Sequence, residues 1–195
     1  MTVKVNAIRR IHDISDEDIQ HTFQQARNSL TKSGKKIGTF KSAEIWLTGD
    51  LSNNWLCLLK DGLLLYVVKS KRRPLKGTIY GQQVMAARNF DNPPEYISYS
   101  RGFAVHAFMN ICLKMYDQLV SDSLMTDHGF RIFSHAVEAA FRRRKFVYLM
   151  DKRATPIEFT RIKTIGEYDR SGPKIFNTDT GNQLRLIVIS NKELL

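Results

Sequence analysis

The sequence predicts an α/β (α+β) domain: a single mixed, mostly antiparallel sheet flanked by helices. Three observations predict it. Residues 99–151 pass twice from a helical to a strand-like pattern, with a glycine at the mouth of the first helix. Upstream, the apolar runs Asn54 to Lys60 and Leu63 to Lys71 are joined by Asp61-Gly62, which supplies the positive φ of a two-residue hairpin turn. No repeat, low-complexity run or linker interrupts the 195 residues, so one domain is the simplest count. Its parts are an N-terminal strand, helix and basic loop (1–38), an antiparallel meander (39–90), the helix–strand–helix–strand stretch (99–151) and a C-terminal strand region (152–195).

In order, Thr2 to Ile11 alternates loosely, as a first strand does. Ser15 caps a helix whose first turn is acidic and whose apolar face is Ile19, Phe23, Ala26 and Leu30. Gly34 is placed to end that helix, and Lys32 to Gly38 reads as a basic surface loop. Thr39 to Leu47 is a strand. The Asp61-Gly62 hairpin ends in Lys69 to Lys76, with five basic residues in eight. Gln82 to Arg88 is a further strand, and Asn89 to Ser98, with Pro93-Pro94, a loop.

A helix over Arg101 to Tyr116 places Ala104, Phe108, Ile111 and Met115 on one face. A short strand follows (Asp117 to Ser121), then a loop and a second helix over Thr126 to Arg144, capped by Ser123 or Thr126. Its core stripe is Phe130, Phe133, Val137, Ala140 and Phe141. Phe146 to Met150 is short and apolar, the pattern of a buried parallel strand. Arg161 to Tyr168 reads as a short helix and Leu184 to Ser190 as a closing strand.

The composition points to partners. A net charge of +11 suits nucleic acid, an anionic membrane surface or an acidic protein. Cys57 and Cys112 lie in apolar runs as core thiols, which implies a cytoplasmic chain. No run approaches the roughly 20 apolar residues of a membrane span, and Met1 to Val5 carries no signal-peptide core.

Most chemistry is excluded. His12, His21, His106, His128 and His135 are scattered, and nothing completes a metal-ligand set around His128 and His135. Ser121-Asp-Ser123 follows a strand but lacks a nucleophile elbow. The glycine turn is the better lead: a strand feeding a helix through Arg101-Gly-Phe-Ala104 leaves backbone N–H groups for an anion, with Arg101 adding charge.

From about Phe40 to Ile189 the order of elements resembles the GNAT acyltransferase fold. It is similar above all to the compact GNAT-like proteins encoded by bacteriophages, through Val120-Ser-Asp122 and Thr126-Asp-His-Gly129. The resemblance implies a phage-encoded chain at work inside a bacterial host. It also implies a Gln/Arg-x-x-Gly-x-Gly/Ala turn for the pyrophosphate of acyl-CoA. Gly102 and Ala104 match its last two positions, while Tyr99 stands where Gln or Arg is expected. Many members protonate the leaving thiolate with a tyrosine on the helix after the next strand. Phe130 and Phe133 stand there and cannot donate a proton, and neither Tyr116 nor Tyr148 matches the position. Such departures are what a family scaffold adapted to binding alone would show.

The leading expectation is a nucleic-acid-binding protein, for RNA or DNA, acting largely through phosphates and requiring no cofactor. Its candidate residues are Lys69, Lys71, Arg72, Arg73, Lys76, Arg142, Arg143, Arg144, Lys145, Lys152 and Arg153, with a further cluster over Lys32 to Lys41. Tyr66, Tyr80 and Tyr99 are candidates for stacking on unpaired bases. The alternative is an acyl-CoA-dependent N-acyltransferase, holding acetyl-CoA or another acyl-CoA at Arg101, Gly102 and Ala104, with Glu95 as base. Tyr116 and Ser123 are its other catalytic candidates. In a third reading the basic faces contact an acidic protein.

Overall fold

A computed structural model describes residues 15–49, 53–75, 78–122, 126–175 and 185–194. They are α+β and fall into two compact units, one within residues 14–119 and one within 120–195. The expected strand over Thr2 to Ile11 lies outside the described residues, as do His12, Lys76 and Ser123. Among the described residues no helix is long and apolar enough to cross a membrane.

The first unit opens with α1 (Asp16–Ser33). The Ser15 hydroxyl accepts the Asp18 N–H at 3.1 Å, and Asp16, Glu17 and Asp18 sit at the positive end of the helix dipole. Phe23 and Ala26 are buried against Trp55, Cys57, Leu64 and Val67, with Ile19 and Leu30 at the margin. Burying Phe23 alone stabilises this face by about 1.5–3 kcal/mol.

An antiparallel meander follows: β1 (Lys35–Phe40), β2 (Ala43–Gly49), β3 (Asn53–Lys60), β4 (Leu63–Leu75) and β5 (Thr78–Arg88). Asp61 and Gly62 take the positive φ of the expected hairpin turn, 51° and 79°. Two expectations are corrected here. The basic loop is the last turn of α1 followed by the exposed strand β1. The strand over Thr39 to Leu47 is the end of one strand and most of the next, folded at Lys41-Ser42 with φ of 48° and 60°. That turn contains neither glycine nor asparagine, so its sequence does not announce it.

The other side of the meander carries the glycine turn. Asn89 to Ser98 is not simply loop: Pro94–Tyr96 is a 3-10 turn and α2 (Ile97–Ser100) follows. Helical chain then runs from Phe103 to Tyr116 as α3 (Phe103–Ala107), a π-helical stretch (Phe108–Cys112) and α4 (Leu113–Tyr116). Ala104 and Phe108 are buried as expected, but Ile111 is half-buried and Met115 is 39% exposed. The π turn inserts a residue, so Cys112, Leu113 and Tyr116 face the core instead. Tyr116 lies against Gly81, where a Cβ would come within 2.3 Å of its ring. The Asn54 amide donates to the Tyr116 hydroxyl, which lies 3.2 Å from Ser70 Oγ. Phe103 packs its ring 5.7 Å from both Phe40 and Tyr66. The chain leaves this unit along β6 (Gln118–Val120).

In the second unit, α5 (Asp127–Arg142) is capped by Thr126, whose hydroxyl accepts the Gly129 N–H at 3.0 Å. Phe133, Val137 and Ala140 are its buried stripe, with Phe130 and Phe141 half-buried. Then come β7 (Phe146–Asp151), β8 (Glu158–Ile162), α6 (Ile165–Ile175) and β9 (Arg185–Ser190). The expected parallel strand is antiparallel: β7 pairs with β8 and with β9, both in that sense. The short connection over 152–157 permits only a hairpin, since a parallel crossover needs a dozen residues or more. The expected helix over Arg161 to Tyr168 is also corrected, because Arg161 and Ile162 finish β8. There Thr164 Oγ1 caps α6 by accepting the Glu167 N–H, and the Glu167 carboxylate accepts the N–H of Lys163, one residue before the cap.

Candidate nucleic-acid interface

Strand periodicity sorts the first basic run. Across the β3–β4 ladder Lys69 pairs with Trp55 and Lys71 with Asn53; across β4–β5 Arg73 pairs with Tyr80. The register shift beside Lys69 and Ser70 skips Val84 of β5, so alternation along β4 runs unbroken. Lys69, Lys71 and Arg73 therefore share the side that carries α1, about 6–7 Å apart in succession. Arg72 takes the other side with Ser70, toward Tyr116. Among the described residues none of Lys71, Arg72 and Arg73 forms an ion pair.

Beside that row, α1 and the strand ends border an open groove of about 360 Å³. The last turns of α1 contribute Gln25, Ser29, Lys32 and Ser33. The strands contribute Gly49, Asn53, Trp55 and Lys69. Among the described residues no carboxylate lines it. Thr48 Oγ1 donates to the Ser29 carbonyl at 2.8 Å and lies 2.8 Å and 3.0 Å from the hydroxyls of Ser29 and Ser33, which fixes that wall. Trp55 is only 6% exposed and forms the floor. Lys69 Nζ rests 4.4 Å from its ring centroid, a cation–π contact. Burial, and then the neighbouring Lys71, lower the pKa of Lys69.

The second run is built differently. Arg142, Arg143 and Arg144 are exposed and Lys145 is half-buried at the end of α5. The Lys145 N–H bonds the Ala140 carbonyl at 2.9 Å and the Arg144 N–H the Phe141 carbonyl at 3.0 Å, which is a Schellman ending. Its left-handed position is held by Arg144, at φ 54°, where glycine is the unstrained residue. The Arg142 contact with Glu138, at 3.9 Å between exposed groups, is worth little. Arg153 is already committed: its guanidinium grips both oxygens of Asp151, and Arg185 Nε adds a further contact at 3.1 Å. Those bonds, Arg153 first, hold the Asp151 carboxyl well below the usual carboxylate range. Lys152 is half-buried.

Other candidates change standing. Tyr66 and Tyr80 are buried and cannot stack on a base. Tyr99 is half-buried, with Lys60 Nζ 5.5 Å from its ring. The glycine turn is not fed by a strand, because β5 ends at Arg88 and the helical turn α2 comes between. Gly102 has φ 82° and open space where a Cβ would stand, so its conformation alone calls for glycine. Arg101 is exposed, Ala104 is core, and Lys41 Nζ bonds the carbonyls of Ser98 and Arg101. Glu95 is exposed in the 3-10 turn. Tyr116 and Tyr148 are buried, the Tyr148 hydroxyl accepting the Leu194 N–H at 3.0 Å. Burial raises the pKa of Tyr116.

Ser121 is buried, its hydroxyl accepting the Ile187 N–H at 3.0 Å. Cys57 and Cys112 are buried free thiols, each pushed up to about 12 by burial. No group of metal-ligating side chains occurs among the described residues. The groove itself was not expected, although Ser29, Lys32 and Ser33 at helical spacing and the parity of Lys69 with Lys71 both point to it. Compared with protein-family models, curated proteins and solved structures, the chain matches none.

Proposed function

We propose that this protein binds nucleic acid, chiefly through phosphates, on a GNAT-like scaffold. One observation carries the reading. Lys69, Lys71 and Arg73 share one side of β4 beside a groove that adds Lys32 and, among the described residues, no carboxylate. Cations so arranged release counterions from a polyanion and gain little from an uncharged partner. The net charge of +11 and the exposed arginines that end α5 agree with it. What supports the scaffold is the order of elements: a meander, a helical segment beginning at a glycine, a strand, a capped helix and a further strand. N-acyl transfer draws no support from the turn, which no strand feeds and whose Ala104 is buried.

Anisotropy titrations of short labelled RNA and DNA at about 50 and 200 mM salt test the reading. Four phosphate contacts predict a log–log slope of about −3. Salt-independent binding, or none, overturns it. A calorimetric response to acetyl-CoA that Gly102→Glu removes would favour acyl transfer instead.

A further inference from the structure

We infer that the groove between α1 and the ends of β2, β3 and β4 takes one nucleotide of a single strand, its phosphate between Lys69 and Lys32. The inference rests on the nucleic-acid reading above and narrows it. The groove is open to solvent, and its volume of about 360 Å³ is room for one nucleotide. A duplex presents its phosphates on a convex ridge with its bases turned inward. A single strand can turn a nucleotide into a concavity.

The lining suits that unit. Lys32 on α1 and Lys69 on β4 supply charge, the Gln25 amide a further polar group, and Ser29 and Ser33, whose hydroxyl protons go to Thr48, acceptor oxygens for a sugar or a base edge. Lys69 is set in advance, because the Trp55 ring beneath its ammonium holds the side chain over the floor. Its lowered proton affinity, from burial and from Lys71, marks a cation that gains from an arriving anion. Lys71 and Arg73 continue the row beyond the groove, where flanking phosphates would run.

The Lys69–Trp55 contact supplies a readout. The chain has two tryptophans, so Trp46→Phe leaves Trp55 as the reporter. In that full-length variant, single-stranded RNA and DNA are expected to change Trp55 emission saturably. The matching duplex and free adenosine monophosphate are expected to leave it nearly unchanged. Lys69→Gln should weaken single-strand binding about tenfold. Lys32→Gln, on the exposed end of α1, should weaken it and reduce the salt slope by about one. Circular dichroism checks that each variant is folded.

If single strands bind but Trp55 emission stays constant and both lysine variants bind as the parent does, the groove assignment is wrong and nucleic-acid binding stands. If no nucleic acid binds, both fall. Free monophosphate binding as tightly as the strand, or duplex binding with the same emission change, overturns the single-strand assignment.

Discussion

The two basic runs look alike in the sequence and are built on opposite principles. Lys69 to Arg73 lies on a strand, whose period of two sends alternate charges to opposite sides. Arg142 to Lys145 lies where a helix stops, and there backbone capping sets the direction of each side chain. The first makes a row of three cations beside a groove; the second makes a cluster in which one arginine holds a left-handed residue. The density of a basic run therefore says less about binding than the period of the element that carries it.

The largest expected effect tests that statement directly. Converting Lys69, Lys71 and Arg73 together to Glu should cut nucleic-acid affinity on the order of 100-fold or more. The same change at Arg142, Arg143 and Arg144 should cost about tenfold or less. Anisotropy at one fixed salt concentration reads both, and the reverse order would break the comparison.

Legibility in the sequence follows the same physics. Ser15 and Asp61-Gly62 announced their cap and turn, because each contains the atoms that do the work, and of the two caps the sequence offered for the second helix, Ser123 or Thr126, Thr126 makes the bond. The hairpin at Lys41-Ser42 was illegible, since its positive φ values fall on residues that do not favour them. Thr164-Ile-Gly-Glu167 did contain a helix start, masked by the apolar spacing of β8 just before it. The candidate site was legible as charge but not as shape. That Lys69 rests on Trp55, and that Tyr66 and Tyr80 are buried, follows from packing between distant segments.

A middle-sized effect sharpens the contrast, with one substitution giving opposite signs. Arg144→Gly should raise stability by about 1 kcal/mol, because it relieves a left-handed arginine. Arg73→Gly should lower it by about 0.5–1 kcal/mol, because glycine weakens a strand. Urea denaturation compares the two, and equal signs would count against this account of the helix end.

The smallest effect concerns Arg153, the candidate cation already engaged. Asp151 has a depressed pKa in the folded chain, so its stabilising contribution is complete above the unfolded value, about 4. It is lost as pH falls below that toward the folded value. Asp151→Asn should therefore cost up to about 1 kcal/mol at neutral pH, as a largely solvated pair does. The difference from the parent should shrink in acid. A difference that stays constant as pH falls from about 5 to about 2, across the unfolded value of about 4, would show that packing, not charge, sets the cost.

The π turn between Phe108 and Cys112 makes the helical segment from Phe103 to Tyr116 a counting device. Each α-helical residue advances the chain by about 100°. Were the same residues wound as regular α-helix throughout, Tyr116 would swing about 100° away from Gly81, Asn54 and Ser70. The irregularity is thus the condition of the tyrosine's address. Loss of a single codon there would straighten the turn and leave Tyr116 in place, whereas gain of one would misdirect everything downstream of it.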